Sequence, residues 1–160
     1  VFVDPQGFLR QKDSKNNIFL KKTNLDLTNV NAIKINPEEG QNIVSGSHDE
    51  MMLALQKKGI EYVLLTNKSD VSLLVKNRVY SLKLPNKNIH DTTGIGDIFC
   101  SAFTCTMLKE KDFLWALCFA AGSAQAALES NNVGLQKIPK KGMVENNASY
   151  FYNLVDFRDL

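Results

Sequence analysis

A chain of 160 residues, 44% hydrophobic and 22% charged, can build a compact core, which excludes the fibrous and the intrinsically disordered classes. Nineteen basic residues against seventeen acidic ones leave a net charge of +2, too small and too interspersed for a nucleic-acid footprint. The expected partner is therefore a small molecule or another protein, with neither nucleic acid nor membrane implied.

The first residues, "VFVD", read as a short buried strand stopped by Pro5 and Gly7, and a chain that opens in mid-strand is expected to be the later part of something larger. "IFLK" (Ile18 to Lys21) is a candidate edge strand and "AIKI" (Ala32 to Ile35) a second buried one, broken at Asn36 and Pro37. "SHDE" (Ser47 to Glu50) matches a capping box, and Met51, Met52 and Leu55 continue it as the apolar face of a helix ending near Gly59. "YVLLT" (Tyr62 to Thr66) is an apolar run of strand length, followed by "VSLLV" and "VYSLKL", which alternate like a hairpin across "KNR". Beyond "PNKNI" the period changes to 3.6, and three helices are expected: Ile95 to Leu108, Asp112 to Glu129 with Asp112 as N-cap, and Gly142 to Val155. Alternating strands and helices followed by a helical half predict an α/β fold on a parallel sheet. "KIPKK" (Lys137 to Lys141) reads as a loop with a solvated basic cluster. Cys100, Cys105 and Cys118 lack CxxC spacing and read as reduced core thiols, while Trp115 shares an apolar helix face with Leu114 and Cys118. No signal peptide opens the chain, and its longest apolar-rich run, Phe113 to Leu128, is too short to span a bilayer. A cytoplasmic location is expected.

The informative stretch is "HDTTGIGDIF", His90 to Phe99. Glycines at a helix start let the N–H groups of the first turn approach an anion, and the helix dipole adds about half a positive charge there. Asp97 would be a poor neighbour for a resting phosphate, yet a phosphoryl-transfer site needs such a group to take the proton of an attacking hydroxyl. The spacing is neither GxxxxGK[ST] nor GxGxxG. A plain turn at Gly94 and Gly96, with Asp97 as a helix cap, accounts equally for the spacing. His90, next to this stretch, is either a ligand contact or incidental.

These residues carry a resemblance. "DTTGIGDIFCSAF" resembles the C-terminal signature of the ribokinase-like (PfkB) carbohydrate kinases, in which DTxGAGD opens a helix and its last aspartate is the catalytic base. "NPEE" (Asn36 to Glu39) matches the family's N-x-x-E pattern, "DPQGFLR" resembles a mid-chain strand and loop of archaeal-type members, and "ALCFAAGSAQAALES" falls where the family places the helix beside the adenine. The resemblance covers nearly the whole chain in order. It implies a three-layer α/β/α sandwich on a mainly parallel sheet, incomplete at its N-terminal side, with residues 1–160 forming the nucleotide-binding and catalytic-base portion of one sugar-kinase domain.

It further implies ATP-dependent phosphorylation of a hydroxyl on a small sugar, polyol or nucleoside. Asp97 would be the base, and the backbone of Gly94, Ile95 and Gly96 the anion hole. Asn36, Thr66, Lys68, Thr93, Gly94 and Gly96 would contact the nucleotide. Mg²⁺ would be associated with Glu39, and a monovalent cation would lie beside Asp91 and Thr93. Homodimers through a lid outside this chain are a further expectation. Three features depart from the pattern. Ile95 replaces alanine. Lys68 and Val71 stand where the T-x-G-x-x-G turn after Thr66 has glycines, so Lys68 is either a phosphate contact by charge or a solvated loop residue. Full members are also nearly twice as long. Two other readings stay open: a non-catalytic nucleotide-binding or regulatory domain of the same fold, and a flavodoxin-like binding or scaffold domain.

Overall fold

The computed structural model describes residues 1–68, 70–85, 92–130 and 132–160, which divide into two compact units. The first unit holds residues 1–79 and 157–160. In chain order it contains β1 (Phe2–Val3), α1 (Gln6–Leu9), β2 (Arg10–Lys12), β3 (Ile18–Leu20), β4 (Ala32–Ile35), α2 (Pro37–Ile43), α3 (His48–Lys57), β5 (Tyr62–Asn67), β6 (Asp70–Val75) and the first residues of β7 (Arg78–Lys83).

The sheet order begins β1-β4-β5-β6, with β4 parallel to both β1 and β5. All four residues of β4 are buried, as expected of a strand covered on both faces. Side chains alternate along it, so Ile33 and Ile35 join a core with Met52, Leu55, Val63 and Leu65, while Lys34 falls on the opposite face. β5 and β6 are antiparallel, an antiparallel pair within a sheet expected to be mainly parallel. Asn67 pairs with Asp70, and two residues cannot make the crossover that a parallel pair requires. The expected hairpin between "VSLLV" and "VYSLKL" turns at Lys76 and Asn77, both at positive φ (48° and 62°), as the primed hairpin turns demand.

"IFLK" forms β3, but its partner is β2, in a separate two-stranded antiparallel sheet. β2 had no signal in the sequence because Arg10, Gln11 and Lys12 are all exposed.

The second unit, residues 80–156, contains α4 (Ile95–Glu110), α5 (Phe113–Leu128), a 3-10 helix (Gly134–Lys137) and α6 (Lys141–Tyr152). Asp112 caps α5 as expected, its Oδ1 accepting from the N–H groups of Leu114 and Trp115 at 2.9 and 3.0 Å. The core of this unit is small-sided on α5, where Ala116, Ala120, Ala124 and Ala127 are buried, and α4 adds buried Phe99 and Phe103. Two cysteines correct the expectation of core thiols, since Cys118 is buried but Cys100 is half-buried and Cys105 exposed. Trp115, expected in the core, is only half-buried and packs at 6.1 Å from Tyr152.

The chain ends in β8 (Asp156–Asp159), which the sequence reading missed because all four residues are exposed and carry no apolar alternation. Its residues in the first unit are held by Arg78, whose Nε donates to Asp159 Oδ1 at 2.6 Å and whose guanidinium lies 5.1 Å from the Phe157 ring centre.

Candidate active site

In the first unit, Asn36 caps α2 and Pro37 takes its first position, where the missing N–H costs nothing. Asn36 Oδ1 accepts from the Glu39 N–H at 2.8 Å, and Glu39 Oε2 accepts from the Asn36 N–H at 2.9 Å. "NPEE" is thus a complete capping box. The Glu39 side chain is 1% exposed, and Lys34 Nζ approaches the same Oε2 at 4.0 Å while making a 2.7 Å ion pair with Asp4. Lys34 and Asp4 were not among the expected site residues. The available signal was a lysine inside an otherwise apolar strand, since lysine is almost never buried unpaired. Asn36, Glu38, Glu39 and Arg10 line a cavity of about 300 Å³. Glu39 therefore serves as the capping-box partner of Asn36 and as counter-charge to Lys34. Among the described residues no group of three or more His, Cys, Asp or Glu is placed to hold a metal ion.

Thr66 is the next-to-last residue of β5, its hydroxyl at the limit of hydrogen-bond reach, 3.5 Å, from the Ile35 carbonyl. Lys68 follows at φ 44° in the tight link to β6. The glycine turn of the expected pattern is replaced here by a β-hairpin.

In the second unit, Gly94 is the N-cap of α4 at φ 77°, a left-handed conformation that only glycine adopts without strain. The first helical hydrogen bond runs from the Ile98 N–H to the Gly94 carbonyl, so the N–H groups of residues 95 to 97 precede the ladder. Of these, the Ile95 N–H donates to the Thr92 carbonyl at 3.2 Å. The expected donor set of Gly94, Ile95 and Gly96 thereby loses its middle member to the turn itself. Asp97 lies in the first helical turn and is exposed.

Thr93, Gly94 and Asp97 border a cavity of about 910 Å³ between α4, the 3-10 helix and the start of α6. Apart from those three residues its wall is largely apolar, including Ile98, Ala102, Phe119, Leu135 and Ile138. These wall residues were not singled out from the sequence, because apolar residues at helical spacing read as core. Lys137 also lines it and departs from the solvated-cluster reading, being 3% exposed with Nζ donating to the Thr93 carbonyl at 3.3 Å, while Lys140 and Lys141 are exposed as expected. That carbonyl is the oxygen expected to face a monovalent cation. Two unit charges 4 Å apart repel by about 4 kcal/mol at an effective dielectric constant of 20, so the described residues, Lys137 and Thr93, do not suit such an ion. Asp91, its other expected ligand, and His90 lie outside the described residues.

The fold and these features define an α/β protein with a glycine-capped helix start and a carboxylate beside a largely apolar cavity. Solved structures share the fold. One is described as the conversion of a pyrophosphate-dependent myo-inositol-1 kinase into a myo-inositol-3 kinase (TM-score 0.73, 18% identity, covering 94% of this chain and 54% of that one). Others are the ribokinase of Thermotoga maritima (0.64, 19%, 74% and 42%) and Arabidopsis thaliana ribokinase complexed with ribose and ATP (0.63, 21%, 76% and 42%). The chain spans about half the length of these structures. Residues 8–141 match the pfkB family carbohydrate kinases, and the chain belongs to that family. No curated protein matches it in direct sequence comparison.

Proposed function

We propose that the chain is the nucleotide-binding and catalytic-base portion of an ATP-dependent kinase acting on a hydroxyl of a small sugar, polyol or nucleoside. The observation that carries this reading is the exposed carboxylate of Asp97 in the first turn of α4, after left-handed Gly94 and on the rim of the apolar cavity. In the reaction the acceptor oxygen attacks the γ-phosphorus, the bond to the bridging oxygen breaks, ADP departs, and the hydroxyl proton passes to Asp97. Backbone N–H groups of Gly94 and Gly96 would face the charge gathering on the transferred group, an effect worth several kcal/mol of barrier. Mg²⁺, carried in on the phosphates, would neutralise their charge, with Glu39 reached through water and Asn36 beside it. Thr66 and Lys68 would flank the nucleotide, Lys68 by charge alone.

A second donor has support. The glycine-less link at Lys68 suits inorganic pyrophosphate, and neighbours of the same fold are described as pyrophosphate-dependent. The cavity weighs the other way, because about 910 Å³ with a largely apolar wall falls in the range that holds drug-sized ligands, roughly 300–1,000 Å³, and pyrophosphate has no group to fill it. No helix among the described residues is long and apolar enough to cross a membrane, and a cytoplasmic reaction fits an ATP donor.

The test is a thermal melt with Mg-ADP and with Mg-pyrophosphate. Mg-ADP is expected to raise the melting temperature of the wild type and of Asp97→Asn but not of Gly94→Val, whose β-branched side chain cannot hold φ 77° without strain. In the full-length protein Asp97→Asn should lower turnover about 10²–10⁴-fold. A rise with pyrophosphate alone would move the donor assignment, and nucleotide binding without turnover in the full-length protein would identify a non-catalytic member.

A further inference from the structure

The turn that opens α4 is held by a side chain from another part of the second unit. Lys137 ends the 3-10 helix Gly134–Lys137, and Ile138 and Pro139 beyond it continue the cavity wall. Its ammonium is drawn in against the Thr93 carbonyl, and the residue is almost wholly removed from solvent. A buried lysine persists only where its charge is met by acceptors, and a peptide carbonyl is such an acceptor.

The position of this contact gives it a consequence. The Thr93 carbonyl and the Gly94 N–H belong to one planar trans peptide and point in opposite directions. Anchoring the oxygen on Lys137 therefore fixes the direction in which the Gly94 N–H is aimed. The same peptide is the one whose carbonyl a monovalent cation would engage. An ammonium carries the same single charge as K⁺, but it is tethered to the chain and does not exchange with the medium.

We propose that the Lys137 ammonium replaces a bound monovalent cation in this chain, acting as a positioning residue that holds the Thr93–Gly94 peptide with its N–H aimed outward. The inference deepens the anion-hole reading of that turn and rests on it. Its consequence is a turn whose order, and whose anion binding, does not depend on K⁺.

The experiment compares melting in KCl and in choline chloride at matched ionic strength for the wild type, Lys137→Ala and Lys137→Arg. The wild type and Lys137→Arg are expected to melt at the same temperature in both salts. Lys137→Ala should melt lower in choline chloride and regain several degrees in KCl, a salt-specific rescue that a merely structural lysine would not show. Thallous ion, a spectroscopic stand-in for K⁺, should give no bound signal with the wild type and one with Lys137→Ala. A K⁺-specific rise or bound thallium in the wild type overturns the proposal, as does an identical response of Lys137→Ala to the two salts. Should Lys137→Ala fail to fold, the wild-type thallium spectrum decides alone. The response to Mg-ADP is read separately, so loss of the kinase assignment and loss of this one are distinguishable.

Discussion

Lys34 shows how one residue can tie a strand to a site. It lies between Ile33 and Ile35 in β4, and the alternation that sends those two into the core sends its ammonium to Asp4 and, more distantly, to the carboxylate that caps α2. Removing one member of a buried ion pair leaves the others desolvated and uncompensated, whereas removing the charges together is close to neutral. Lys34→Met should therefore cost about 3 kcal/mol in urea unfolding. The triple variant with Asp4→Asn and Glu39→Gln should recover most of that loss. A single-variant cost below about 1 kcal/mol, the range of surface pairs, would mean that water screens the cluster and that Glu39 does not depend on Lys34. Asp97 differs in kind: it is exposed to solvent in the first turn of α4, as the proposed proton acceptor must be.

At the level of elements, the pairing of α5 with α6 turns on one glycine. A Cβ at Gly122 would stand 2.9 Å from both the Val144 carbonyl oxygen and the Ala148 nitrogen, backbone atoms of α6 that cannot swing aside, and Asn147 Nδ2 donates to the Gly122 carbonyl at 3.3 Å. Alanine gains about 1 kcal/mol of helix propensity over glycine, while overpacking costs about 1–3 kcal/mol, so Gly122→Ala should be destabilising despite its better propensity. Gly142, in the first turn of α6, is the control: an added Cβ there meets nothing within 4 Å, and Gly142→Ala should stabilise by up to about 1 kcal/mol. Equal effects at the two sites in chemical denaturation would remove the close helix contact as the reason for glycine. These elements also mark what could be read in advance. The caps at Asn36, Ser47 and Asp112 and the helix start at Ile95 were legible because capping and 3.6-residue periodicity act locally. β2 and β8 were not, since exposed strands carry no apolar pattern, and the antiparallel return of β6 follows from the short link after Asn67 rather than from any apolar periodicity. The glycine turn and Asp97 were legible as a motif. The burial of Lys137 and the apolar cavity were not, because both arise from contacts across more than thirty residues, as between Thr93 and Lys137 (44 apart in sequence).

Across the whole molecule, the depressed carboxylates and the raised thiol and phenol bound the pH range in which the fold is stable. Asp13, Asp26, Glu50 and Asp159 are all held below their ordinary values, chiefly by hydrogen bonds from Asn17, Thr28, the Ser47 backbone and Arg78 respectively. A carboxylate depressed in the folded state contributes stability above its unfolded value, and that contribution is lost as pH falls through the folded one. Acid destabilisation should thus begin below about pH 4. At the other end, burial first and the charge of Asp112 second push the Cys118 thiol from 9.0 up to about 12, and burial with Glu61 takes Tyr62 from 10.0 to about 12. A raised value has the opposite sign: its contribution is complete below the unfolded value and drains away as pH climbs toward the folded one. Unfolding free energy should accordingly be level through neutrality and decline from 9 toward 12, the interval set by Cys118. Cys118→Ala leaves a small side chain among alanines and removes the thiol, so its alkaline decline should start about one unit later, where Tyr62 takes over. Urea titrations of both proteins across that interval read the difference directly; the same alkaline onset in each would mean that the Cys118 thiolate is accommodated in the fold and that burial does not set the upper limit.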